Sequence, residues 1–172
     1  IFSLFGESWP TSYSLASEIF SAVDRLMSRD PNQGEWRKLL PGSLRLLKEL
    51  GQKGVTCGLI SNDSRSGIQD FIEKNLLGGI FKASWSAEDH PRKPDPNSVQ
   101  GLCKKLGLSP HECALVGDSE TDLQMARKAK VGVTIGYKSG WQLSPNLFSH
   151  QYLIDHWDEL TVKSTSKVIN NI

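Results

Sequence analysis

Apolar residues recur at two periods along this chain, and the switch between them marks out its elements. In "TSYSLASEIFSAVDRLMSR" (residues 11–29), Leu15, Ile19, Ala22, Val23 and Leu26 fall three or four apart behind Thr11, Ser12 and Ser14. That spacing predicts a helix with capping residues at its start. "DPNQG" at 30–34 breaks the pattern, and "LLPGSLRLLKELGQKG" predicts a second helix, with Pro41 near its start and Gly51 as its stop. From there apolar runs alternate with amphipathic segments. "VTCGLIS" (55–61), "IFKASWS" (80–86), "CALVGD" (113–118), "VGVTIGY" (131–137) and "QYLID" (151–155) predict strands. Between them, "SRSGIQDFIEKNLLGG", "DPNSVQGLCKKLGL" and "SETDLQMARKAK" predict helices.

Strands alternating with helices place the chain in the α/β class: a Rossmann-like, mainly parallel sheet with helices on both faces, joined by right-handed crossovers. Residues 1–40 differ, since they predict helix with no intervening strand, and we expect them to be part of a small helical cap. Residues 41–160 form the predicted core domain and 161–172 a polar tail. No internal repeat or low-complexity tract interrupts this order.

Composition narrows the function classes. At 172 residues, with 38% apolar and 23% charged, one buried core is expected. The net charge of +1 is spread among mixed signs and predicts neither nucleic-acid nor membrane binding, which leaves small ligands and proteins. Cys57, Cys103 and Cys113 are odd in number and lack C-x-x-C spacing, so reduced structural thiols are expected, and neither a disulfide framework nor a zinc site. No apolar run approaches the roughly 18 residues that span a bilayer, and no basic-then-apolar leader opens the chain. A cytoplasmic protein is the expectation. Because residue 1 is Ile1 and not methionine, a fragment of a longer polypeptide is also expected.

In a parallel sheet ligands gather beyond the carboxyl ends of the strands. The polar residues predicted there are Ser61, Asn62 and Asp63 after the first strand, and Asp118, Ser119 and Asp122 after "CALVG". Between them, "HPRKPDP" places Lys93 among prolines in a loop that precedes a helix. The set suits phosphate chemistry. Ser61 and neighbouring N–H groups can donate to phosphoryl oxygens, and Lys93 supplies a compact positive charge. Asp118 and Asp122 can hold Mg2+, an ion that usually takes one or two carboxylates and keeps several waters. Each residue also has a plainer reading: Ser61 as a helix cap, the two acids as first-turn partners of a helix dipole, Lys93 as a solvated side chain. Their shared strand-end placement is what capping and solvation do not require.

With "LISND", "RKPDP" and "ALVGDSETDLQMARKA" in view, the chain resembles the haloacid dehalogenase superfamily, in its phosphoglycolate phosphatase-like branch. The resemblance runs from about residue 40 to 160, including "LLPGSLRLLKELGQKGV" and "YLIDHWDEL". It implies a magnesium-dependent hydrolase of small phosphomonoesters working through an aspartyl phosphate. Ser61 and Lys93 would serve as catalytic residues, Ser61, Asn62 and Lys93 as substrate-binding residues, and Asp118 and Asp122 as metal ligands.

One departure is large. The family opens on a strand bearing D-x-D, whose first acid attacks phosphorus, and no D-x-D occurs in these 172 residues. Asp155 and Asp158 are spaced D-x-x-D and match the family's final strand and helix, so they are read as structural. The chain therefore resembles a family member beginning inside the cap, and it is expected to be inactive alone. Loss of a central strand would expose an edge and leaves room for a homodimer. Arg92 stands where relatives often have glycine. The alternatives are a non-catalytic phosphate- or protein-binding domain, and a metal-free dehalogenase, whose chemistry has no use for Asp122. His90, His111, His150 and His156 are expected to be structural or at the surface, Trp36, Trp85 and Trp157 to pack, and Trp141 to pack, anchor its loop or border the substrate entrance.

Overall fold

The structure, a computed structural model, describes residues 39–140 and 144–161, all within the unit that begins at Leu39. The expected helix over 11–29, the partial cap, Trp36, Trp141 and the tail from 162 onward lie outside these residues. Helix α1 (Ser43–Gln52) is followed by β1 (Cys57–Ile60), α2 (Arg65–Lys74), β2 (Phe81–Trp85), α3 (Pro96–Leu106), β3 (Ala114–Gly117), α4 (Glu120–Lys128), β4 (Val133–Tyr137) and β5 (Tyr152–Ile154). Short 3-10 turns at Pro110–Glu112 and Trp157–Glu159 complete the order.

The helix boundaries follow from capping chemistry. Ser64 accepts the Gly67 N–H at 3.0 Å to start α2, Asp95 accepts that of Asn97 at 2.8 Å to start α3, and Ser119 accepts that of Asp122 at 3.2 Å to start α4. Pro96 occupies the first turn of α3, where its missing N–H costs nothing, and Gly107 closes that helix at φ 70°. Gly51 does not stop α1, which runs through it to Gln52; the left-handed turn comes at Gly54, φ 72°. The first strand is shorter than its apolar run, because Val55 is exposed and pairing begins only at Cys57.

Every ladder is parallel. β1 pairs with β2, β3 with β4, and β4 with β5. The strands form two separate sheets, β1–β2 and β3–β4–β5, with no ladder joining β1 to β3 among the described residues. Apolar packing spans the break: Val99 and Cys103 of α3 cluster with Met125 and Ala126 of α4, and Ile60 of β1 and Leu115 of β3 pack against that same cluster. The three cysteines are free, and Cys103 and Cys113 lie side by side with sulfurs 3.8 Å apart. Trp85 is buried and Trp157 stacks on Tyr137 at 4.8 Å. His156 caps the last 3-10 turn by accepting the Asp158 N–H, a structural role of the kind expected.

Candidate active site

The acids are carried by the end of β3 and the first turn of α4. Gly117 ends the strand, Asp118 follows, and Ser119 caps the helix, which sets Asp122 three residues in. A Cβ at Gly117 would lie 2.8 Å from the Asp122 Cβ, so only glycine lets the helix fold this closely over the strand end. Asp122 is therefore a first-turn acid, as the plainer reading held, but the dipole is not its only partner. Its Oδ1 meets the Lys93 Nζ at 2.7 Å, with side-chain exposures of 12% and 16%. The contact is a charge-assisted hydrogen bond, and removing either partner would leave the other charge sheltered and unpaired. Asp118 makes its charge felt at Tyr137, whose phenol is pushed up first by burial and then by that carboxylate.

Lys93 comes from the loop between β2 and α3. On the other strand end, the Ser61 N–H donates to the Trp85 carbonyl at 2.9 Å, prolonging the β1–β2 ladder. The Ser61 Oγ accepts the Asp63 N–H at 3.1 Å. The cap of α2 is Ser64 and not Ser61, so helix capping does not account for the Ser61 hydroxyl. Asn62 sits half-buried in the bend that follows.

Thus Lys93 and Asp122, from opposite sides of the sheet break, are brought into contact. Ser61 and Asp118 sit one residue beyond the ends of β1 and β3, each an edge strand of its own sheet among the described residues. Among the described residues no three His, Cys, Asp or Glu side chains cluster to hold a metal by themselves; two carboxylates are the kind of donor set Mg2+ takes, and a cation here would rest on Asp118 and Asp122 and take its other oxygens from water and substrate.

Sequence reasoning missed the residues that hold these loops. Asp89 accepts the N–H and hydroxyl of Ser86, both at 2.8 Å, and pairs with Lys105 at 2.9 Å. Burial acts to raise its carboxyl pKa, but the Ser86 and Lys105 contacts outweigh burial and hold it well below the usual carboxylate range. Glu120, at the start of α4, accepts the N–H groups of Phe148 and Ser149 and the Ser149 hydroxyl. There too burial is outweighed, and the pKa falls to about 2. The only signal was acids in loops and first turns, which capping and solvation explain equally well.

A family model for haloacid dehalogenase-like hydrolases matches residues 15–135. A phosphoglycolate phosphatase of Vibrio vulnificus (strain CMCP6) is 31% identical over 106 residues, which are 59% of this chain and 46% of that protein. One from Shigella boydii is 29% identical over 121 residues, 68% of this chain and 47% of that protein. The chain thus spans about half the length of the curated relatives it matches. Among solved structures, a predicted phosphoglycolate phosphatase from Haemophilus somnus superposes with TM-score 0.65 at 23% identity, over 74% of this chain and 57% of that one. A β-phosphoglucomutase from Clostridium difficile does so with TM-score 0.68 at 18% identity, over 99% and 73%. These two share the fold. With 121 of 172 residues inside the family match, the chain belongs to the haloacid dehalogenase-like hydrolases.

Proposed function

We propose that this chain is part of a magnesium-dependent hydrolase of small phosphomonoesters. The observation that carries the reading is the Lys93–Asp122 pair at 2.7 Å, which ties a cation of the phosphate-binding kind to a carboxylate of the metal-binding kind across the break between the sheets. Ser61, with the N–H groups near Asn62, donates to the phosphoryl oxygens, and Lys93 offsets the charge that builds on them. Asp118 and Asp122 would hold Mg2+, which when bound supplies electrostatic stabilisation of the transferring group. The similarity to phosphoglycolate phosphatases supports a small anionic substrate.

The attacking carboxylate is assigned to a strand of the complete polypeptide, upstream of Ile1, that pairs with both β1 and β3. The separate ladders support this, because a single parallel strand set between them would join five strands into one sheet and present its carboxyl end between Ser61 and Asp118. Unfilled, the same two edges favour pairing between copies of the chain. The absence of D-x-D favours one other reading, a domain that binds phosphate without turning it over. An upstream reading frame encoding an apolar strand that ends in D-x-D decides for the enzyme. In that complete polypeptide, Asp118→Asn is expected to abolish magnesium-dependent phosphate release from a generic phosphomonoester, a loss of at least about 100-fold, while the circular dichroism spectrum is unchanged. Unaltered turnover would overturn the assignment.

A further inference from the structure

Lys93 is eight residues beyond the end of β2, in a loop with no ladder of its own. Two side chains organise that loop. The Trp85 indole N–H donates to the Pro91 carbonyl at 2.9 Å, two residues before Lys93. Its ring lies against Gly101 of α3, where a Cβ would come within 2.2 Å of the indole, and under the Lys105 ammonium at 4.7 Å. Asp89 is the second. One of its oxygens takes both Ser86 donors, and the other pairs with Lys105 at 2.9 Å and Arg65 at 3.4 Å. Arg65 opens α2, and its own N–H reaches Glu88 at 3.1 Å, while the Ala87 N–H donates to the Asp63 carbonyl at 2.9 Å. The Lys93 loop is thus fastened at 87, 88 and 89 to the turn that follows Ser61 and the start of α2, at 85 and 89 to the flank of α3, and within itself by the Ser86–Asp89 and Trp85–Pro91 bonds.

We propose that Trp85 and Asp89 are positioning residues for Lys93, holding loop 86–94 so that its ammonium reaches Asp122 on the far side of the sheet break. Neither touches the Lys93–Asp122 pair itself. A lysine stem samples many rotamers, and a loop held in place keeps its backbone where those rotamers reach Asp122. The placement is a matter of geometry alone; its consequence for phosphate binding rests on the reading above.

Trace labelling of lysines with an amine-acylating succinimidyl ester, read by peptide mass spectrometry, tests the placement without turnover. In the wild-type chain Lys93 is shielded by its ion pair, and Asp122→Asn gives the unshielded rate. Trp85→Phe keeps a ring against Gly101 and deletes the indole N–H; Asp89→Asn removes the charge that gathers Lys105 and Arg65. Each is expected to raise Lys93 labelling about three- to tenfold. Labelling of Lys138, which pairs with Asp155 at 3.0 Å beyond β4, should not change. An unchanged Lys93 rate in both variants, an equal rise at Lys138, or no effect of Asp122→Asn would each overturn the proposal. A parallel arm adds inorganic phosphate with Mg2+ to the wild-type chain. Failure of phosphate to protect Lys93 counts against the phosphatase reading and leaves the positioning result standing.

Discussion

β4 is buried at all five of its positions, whereas β1 has no fully buried residue and β2 has one, Trp85. The acids of the candidate site are carried by β3, which pairs with this enclosed strand but is itself fully buried only at Gly117, and the phosphate-binding side by β1 and the loop after β2. Behind Asp118 and Asp122 stand Leu123 and Met125, with exposures of 0% and 1%; Met125 clusters with Val99 and Cys103 of α3, Ala126 of α4 and, at the edge of the cluster, Leu115 of β3 and Ile60 of β1. Behind Ser61 and Lys93 stand an indole, a carboxylate and three basic or amide groups joined by hydrogen bonds and ion pairs. Apolar packing is non-directional and carries no charge for salt to screen, while hydrogen bonds fix direction and exposed ion pairs are screened by salt. One site therefore joins two halves held by different forces, and each half has its own way to fail.

The largest expected effect lies in the packed half. Met125→Ala should cost about 2–5 kcal/mol, since the side chain is fully enclosed and its neighbours belong to separate elements that cannot collapse together. Leu59→Ala in half-buried β1 should cost less than half as much. Urea unfolding of the two variants reads the difference, and equal losses would show that the halves are packed alike.

A smaller effect, with a telling sign, is expected at Gly101. An exposed helical glycine replaced by alanine gains about 0.5–1 kcal/mol from backbone entropy and propensity. Here the new Cβ would fall 2.2 Å from the Trp85 ring, which is itself held by Pro91 and Lys105 and cannot yield without releasing the loop. Gly101→Ala should therefore destabilise by about 1–3 kcal/mol and shift the Trp85 emission. A gain in thermal stability with unchanged emission would mean that the indole is loosely seated.

How much of this was legible beforehand follows the same division. The alternation of strands and helices, and the strand-end positions of Ser61, Asp118 and Asp122, could be read because apolar period and capping residues are local signals, repeated within a few positions. The break between β1 and β3 could not be read in that way. Each strand looks the same in sequence whether its edge is paired or open, and only the missing D-x-D hinted at it. The fastening of the Lys93 loop was invisible for another reason. Trp85 was expected to pack, and it does, but its hydrogen bond to Pro91 and the convergence of Ser86, Lys105 and Arg65 on Asp89 join residues from β2, α2 and α3 whose meeting no spacing encodes.

Glu120 marks where the packed half borrows the devices of the other. Its carboxylate gathers the Phe148 and Ser149 donors and so ties the loop before β5 to the first turn of α4, leaving the Phe148 ring 78% exposed. With the folded pKa near 2 and the ordinary value at 4.5, the clamp's contribution is complete above about pH 4.5 and is lost as pH falls toward 2. The wild-type melting temperature should then drop more steeply between about pH 4.5 and 2 than that of Glu120→Gln, whose amide has no charge to lose. Above that window the two curves should run parallel, with the wild type higher. If the curves stay parallel down to pH 2, the carboxylate is not held by these donors, and the acid-bearing half rests on apolar packing alone.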